Sequence, residues 1–182
     1  MPADVVTAYT IEDSTITLPT PTSEEHTFAG WFTSEALTTS KSTIASGSTG
    51  NVEVWAGWRQ VASWTESTKG TYYFTNSGYV WTSNNYYKNS STATTTWKIT
   101  LLGEASISIP YSINSESYDK LTITLDDAII VNGVSGYYSS TIYQKLTAGT
   151  HTLVAKYVKD VSYYSGTDRA TVTLNDIRDI SY

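Results

Sequence analysis

The sequence contains no cysteine, so disulfides, thiolate metal sites and cysteine nucleophiles are excluded together. Its two histidines, His26 and His151, lie far apart in the chain and exclude a multi-histidine metal site. Charge is also scarce: 15% of 182 residues are charged, the formal net charge is -6, and there are three arginines, Arg59, Arg169 and Arg178. With a pI near 4.8 and no basic stripe to neutralise phosphates, nucleic acid is a poor partner. Long apolar runs are missing. Ala128-Ile129-Ile130-Val131 is typical of the longest, far short of the roughly 20 residues that span a bilayer, so no membrane insertion is expected. The first residues, MPADVVTAYT, show neither the basic nor the apolar segment of a secretory signal.

What is abundant is hydroxyl and ring. The chain holds 31 Thr, 24 Ser, 15 Tyr and 6 Trp. Thr, Tyr, Trp and Val suit a pleated, half-buried surface, while Glu, Lys and Ala, the usual filler of exposed helices, are few. High aromatic content with modest net charge argues against disorder. A mainly β protein is expected.

From Tyr9 to Trp58 the chain alternates in short segments: Tyr9-Thr10-Ile11-Glu12, Thr15-Ile16-Thr17-Leu18, a Pro19-Thr20-Pro21 break, Thr27 to Phe32, and Asn51 to Trp55. Period-two alternation bounded by Pro and Gly predicts strands. Ser34-Glu35-Ala36-Leu37 supplies an N-cap hydroxyl and helix formers, enough for one turn of helix. The residues Phe28, Gly30, Trp31, Phe32, Thr33, Trp55, Ala56 and Trp58 resemble the signature of the Listeria/Bacteroides repeat of bacterial surface proteins such as the internalins. That resemblance implies a β-grasp-like fold over residues 1–60, used as a spacer or interaction module. Family members usually begin one strand earlier, so the resemblance also implies an open sheet edge along residues 9–18, completed by another protein chain or by residues preceding Met1.

Residues 61–182 show many short alternating segments separated by Gly, Asn and Asp turns, such as Ile107-Ile109-Tyr111, Leu121-Ile123-Leu125, Leu153-Ala155-Tyr157 and Ala170-Val172-Leu174. This pattern predicts a jelly-roll β-sandwich. The segments Ser115-Glu116, Tyr118-Asp119, Leu146 to Leu153, Tyr157 to Ser162 and Gly166 to Asp168 are similar to a jelly-roll module of secreted bacterial proteins, which implies a non-catalytic accessory domain. No flexible linker follows Trp58, so close docking of the two modules is expected.

Four tyrosine doublets stand out: Tyr72-Tyr73, Tyr86-Tyr87, Tyr137-Tyr138 and Tyr163-Tyr164. Neighbours on a strand point to opposite faces, so a doublet in regular β-structure puts one ring outside the core. An exposed ring can stack on the apolar face of a pyranose while hydroxyl and amide neighbours meet its polar groups. The candidate ligand residues are Tyr72, Tyr79, Trp81, Asn85, Tyr86, Tyr137 and Tyr163, with Trp81 expected to bind at little cost to stability. Against this stands the ordinary role of Tyr as a cross-strand partner. Glu116, Asp119, Asp160 and Asp168 are candidate calcium ligands, weighed against Asp as a default turn residue. Asp126-Asp127 reads as a hairpin turn, and His151 lacks the Ser and acidic partners of a nucleophile motif, so no enzyme is expected.

The sequence therefore reads as a binding or adhesion protein for a glycan or cell-wall polymer, extracellular or at the cell surface as part of a larger protein. The alternative is a structural component of a bacteriophage virion.

Overall fold

The computed structural model describes residues 8–23, 26–162 and 168–181. Among them are fifteen strands and no helix. In chain order these are β1 (Ile16–Thr17), β2 (Thr27–Phe32), β3 (Thr43–Ile44), β4 (Trp55–Ala62), β5 (Thr65–Lys69), β6 (Phe74–Ser77), β7 (Val80–Ser83), β8 (Thr92–Leu101), β9 (Ala105–Asn114), β10 (Lys120–Leu125), β11 (Ala128–Val134), β12 (Tyr137–Leu146), β13 (Gly149–Val158), β14 (Arg169–Thr173) and β15 (Ile177–Ser181). They fall into two compact units, one reaching to Val61 and taking in the chain from Arg178 onward, the other running from Ala62 to Ile177.

In the first unit β2 pairs antiparallel with β4, and Phe28 sets its ring edge-on to Trp31 at 5.5 Å and to Trp58 at 5.6 Å. The Trp31 indole donates to the Pro19 carbonyl at 2.6 Å, tying the Pro-rich segment to the strand. Gly57 has a steric reason: a Cβ there would sit 2.4 Å from Cε2 of the Phe32 ring. Three expectations are corrected here. Tyr9 to Glu12 is a turn and not a strand, because the Asp13 carboxylate accepts the Thr10 N–H at 2.6 Å and diverts the backbone from a ladder. Ser34 to Leu37 makes a single turn closed by Leu37 N–H to the Ser34 carbonyl, with Leu37 at a φ of 51°, which is incompatible with continuing a helix. The third strand of the sheet is supplied by the chain's own C-terminus: the order is β15-β4-β2, and β1 in the segment 9–18 pairs with β3. Local patterning cannot reveal a partner strand more than a hundred residues away.

The second unit is a β-sandwich of two five-stranded sheets, with strand orders β11-β10-β13-β8-β5 and β12-β9-β14-β7-β6. The connections β8 to β9, β9 to β10, β11 to β12, β12 to β13 and β13 to β14 each cross from one sheet to the other. Alternation follows the period-two rule: along β9, Ala105, Ile107, Ile109, Tyr111 and Ile113 are buried, and along β8 so are Ala93, Trp97, Ile99 and Leu101. Trp97 joins the layers, meeting Phe74 of the opposite sheet edge-on at 5.9 Å and Trp81 at 5.1 Å.

Candidate functional site

Antiparallel registry decides which turns share an end of the sandwich. Asn114 lies opposite both Tyr137 and Arg169, Lys120 opposite Val158, and Val158 opposite Thr92. The β5–β6, β7–β8, β9–β10, β11–β12 and β13–β14 connections therefore meet at one end. Their backbones are braced across one another: Lys159 N–H donates to the Ser91 carbonyl at 2.8 Å, Ser115 N–H to Gly136 at 3.0 Å, and Asn89 Nδ2 to Val161 at 3.2 Å. The Asn84 side chain accepts from Tyr73 N–H at 2.8 Å and ties in the β5–β6 loop.

Most of the sequence-predicted residues meet at this end, and the structure separates their roles. Tyr86 and Tyr137 are exposed there, and Tyr72 is half-buried in a backbone bridge to Ala93. Asn85 is 0% exposed, with its amide donating to the Ser91 hydroxyl at 3.0 Å, so it braces the loop and cannot touch a ligand. Tyr79 belongs to the opposite end, where its hydroxyl donates to Asp176 at 2.8 Å. Trp81 shares the inward face of β7 with buried Ser83 and packs on Trp97, which makes it part of the core wall. Tyr163 lies outside the described residues. Tyr87 and Tyr118 are exposed at the loop end as well, the latter at 72%. Tyr118 stands alone in a turn, where the doublet signal does not reach.

Three of the four acidic candidates converge: carboxylate oxygens of Glu116, Asp119 and Asp160 lie within 4.8 Å of one another. Asp119 is committed inward, accepting from Asp160 N–H at 2.9 Å and from the Tyr157 hydroxyl at 3.0 Å. Any cation here would rest on Glu116 and Asp160, which both already contact the Ser162 hydroxyl. That hydroxyl pulls Glu116 downward, but the neighbouring Asp160 carboxylate and burial outweigh it and hold Glu116 above the ordinary carboxylate range. Asp160 is held low, first by the Ser162 hydroxyl and then by the Ser162 N–H. Asp168 is directed elsewhere and meets Lys159 at 2.6 Å.

A second feature adjoins the loop end. On β12, inward Ile142 and Leu146 are buried, so Tyr137, Ser139, Thr141 and Tyr143 share the outward face. Facing them on β9 and β14 are outward Pro110, Ser112, Thr171 and Thr173, which with Ser139 and Thr141 line a shallow groove of about 340 Å³. Its walls are almost entirely hydroxyl-bearing, and Ser112 and Thr171 hydroxyls lie 2.6 Å apart. Tyr137, 92% exposed, heads the row nearest the loops, and exposed Tyr143 stands six residues further along, about 20 Å at strand rise.

No family model matches the chain, and no curated protein matches it. Among solved structures it is similar to the secreted serine protease VesC from Vibrio cholerae, at 8% identity over 89% of this chain and 42% of that one, with a TM-score of 0.47. It is also similar to a family 35 carbohydrate binding module from Clostridium thermocellum (14% identity, 66% of this chain, 89% of that one, TM-score 0.34). A third is the CBM35 from Paenibacillus barcinonensis (16% identity, 64% of this chain, 91% of that one, TM-score 0.33). The chain thus spans 42% of the length of the protease chain it resembles. These likenesses are distant. Among the described residues no helix is long and apolar enough to cross a membrane.

Proposed function

We propose that the second unit is a non-catalytic binding module for an extended glycan or cell-wall polymer, which lies in the groove along β12, β9 and β14 with Tyr137 and Tyr143 as stacking platforms. The observation that carries this reading is the pairing of two exposed rings on one row with a hydroxyl-lined trough beside them. A pyranose presents an apolar face to such a ring and hydroxyls to the trough, and each ring contributes about 0.5–1.5 kcal/mol. The two rings are too far apart for a single sugar, which favours a polymer. Tyr86, Tyr87 and Tyr118 at the loop end extend the aromatic surface beyond Tyr137.

Affinity at one such open groove is modest, and repetition in a larger extracellular or cell-surface assembly supplies avidity. The test is isothermal titration of the chain against a panel of soluble wall polysaccharides and their oligosaccharides. Affinity that rises with oligosaccharide length until both rings are spanned supports the reading. Binding that is complete with a monosaccharide contradicts it.

A further inference from the structure

The charged cluster beneath the loops is not explained by ligand binding. Lys159 is 3% exposed, Asp168 1% and Asp119 1%, and together they place an amine and two carboxyls out of reach of water. Lys159 Nζ lies 2.6 Å from Asp168 Oδ2 and 3.4 Å from Asp119 Oδ2. Asp119 is fixed from behind by the Tyr157 hydroxyl and the Asp160 N–H, and the Tyr86 carbonyl faces Nζ at 3.4 Å. The remaining Asp168 oxygen, Oδ1, is buried and has no hydrogen-bond partner among the described residues. Burying such a set as ions is expensive, and an unpartnered carboxylate oxygen adds to the cost.

We propose that Lys159 and Asp168 condense to an intramolecular isopeptide bond, with Asp119 as the proton carrier. One ammonium proton moves from Nζ to the Asp168 carboxylate, leaving a neutral amine beside a carboxylic acid. The Nζ lone pair attacks Asp168 Cγ and the N–C bond forms. A second Nζ proton passes through Asp119 Oδ2 to the departing hydroxyl, the C–O bond breaks, and one water leaves. Asp119 ends in the protonation state in which it began. The ammonium and carboxylate become one neutral amide, so no oxidant or other reactant is needed, and the dry surroundings oppose hydrolysis. The product ties the end of β13 in one sheet to the start of β14 in the other. A chain without cysteine would thereby hold its loop end with a covalent strap, independently of what the groove binds.

Intact-mass spectrometry of the full chain, denatured after several days folded at neutral pH, decides the matter. The expected mass is one water below that of the sequence. Trypsin, blocked at an acylated lysine, should leave Tyr157 to Arg169 as one internally bridged peptide uncut after Lys159. Lys159→Arg and Asp119→Asn should each restore the full mass. Full mass with cleavage after Lys159 in the wild-type chain overturns the proposal, whether or not the variants fold. So does a loss of water that maps to any other peptide.

Discussion

His151→Ala tests how the end of the sandwich opposite the loops is held. The His151 ring donates from Nδ1 toward Asp126 Oδ2 at 2.7 Å and from Nε2 toward the Thr147 carbonyl at 2.9 Å. Both partners accept and neither donates, so only the imidazolium satisfies both contacts. Burial pulls His151 downward, but the bonds to Asp126 and Thr147 and the carboxylate charge outweigh it and hold the ring above its ordinary 6.5. Burial likewise pushes Asp126 up, yet the His151 contact and the Thr152 N–H hold it below its ordinary 3.8. A raised histidine stabilises the fold fully below 6.5, and that contribution fades as pH rises through the folded value. A lowered aspartate contributes fully above 3.8 and fades as pH falls. The pair therefore works best between those two values.

Hydrogen bonds to charged groups are worth about 1.5–3 kcal/mol, and the half-exposed Asp126 side chain reduces this to about 1–2 kcal/mol through solvent screening. Urea denaturation of wild type and His151→Ala at about pH 5.5 should differ by that amount, and the gap should narrow by about pH 9, where only one bond to a neutral ring remains. A gap that stays constant across this range, or a His151 NMR titration midpoint below 6.5, refutes the reasoning.

Three further outcomes follow from packing. Trp81→Ala should lower stability by about 2–4 kcal/mol in thermal and chemical melts, because it strips one of the two edge-on partners of fully buried Trp97. Gly57→Ala should destabilise by about 1–3 kcal/mol, since the added Cβ meets the Phe32 ring, and Phe32→Leu in the same chain should recover part of the loss. Asp127→Gly should raise stability by about 0.5–1 kcal/mol in urea, because residue 127 sits at a φ of 66° in the two-residue hairpin turn and an Asp-Gly pair relieves it.

The sandwich was largely legible because its central strands alternate: Ile107, Ile109 and Tyr111 fall inward as their spacing requires. Asp126-Asp127 was legible as a turn for the same local reason, and both residues take positive φ. What depends on distant residues was not legible. Nothing in Ile177 to Ser181 indicates that it lies beside Trp55 to Ala62, and nothing in Asn85 says that its amide is spent on Ser91. Trp81 misleads because an aromatic on a short strand has equal claim to either face until Trp97 is seen behind it. The groove was invisible for a related reason: Ser112, Thr141 and Thr171 come from three strands and look like ordinary solvated positions until registry sets them side by side.

Affinity electrophoresis of the Tyr137→Ala/Tyr143→Ala double variant beside the wild-type chain, through gels cast with each wall polysaccharide, tests the binding groove most directly. Wild type should be retarded by at least one polymer. The double variant should lose about tenfold or more in affinity, the worth of two stacked rings, while its melting temperature stays unchanged because both rings are exposed. Equal retardation of the two proteins, or passage of wild type unhindered through every polymer, would contradict the account.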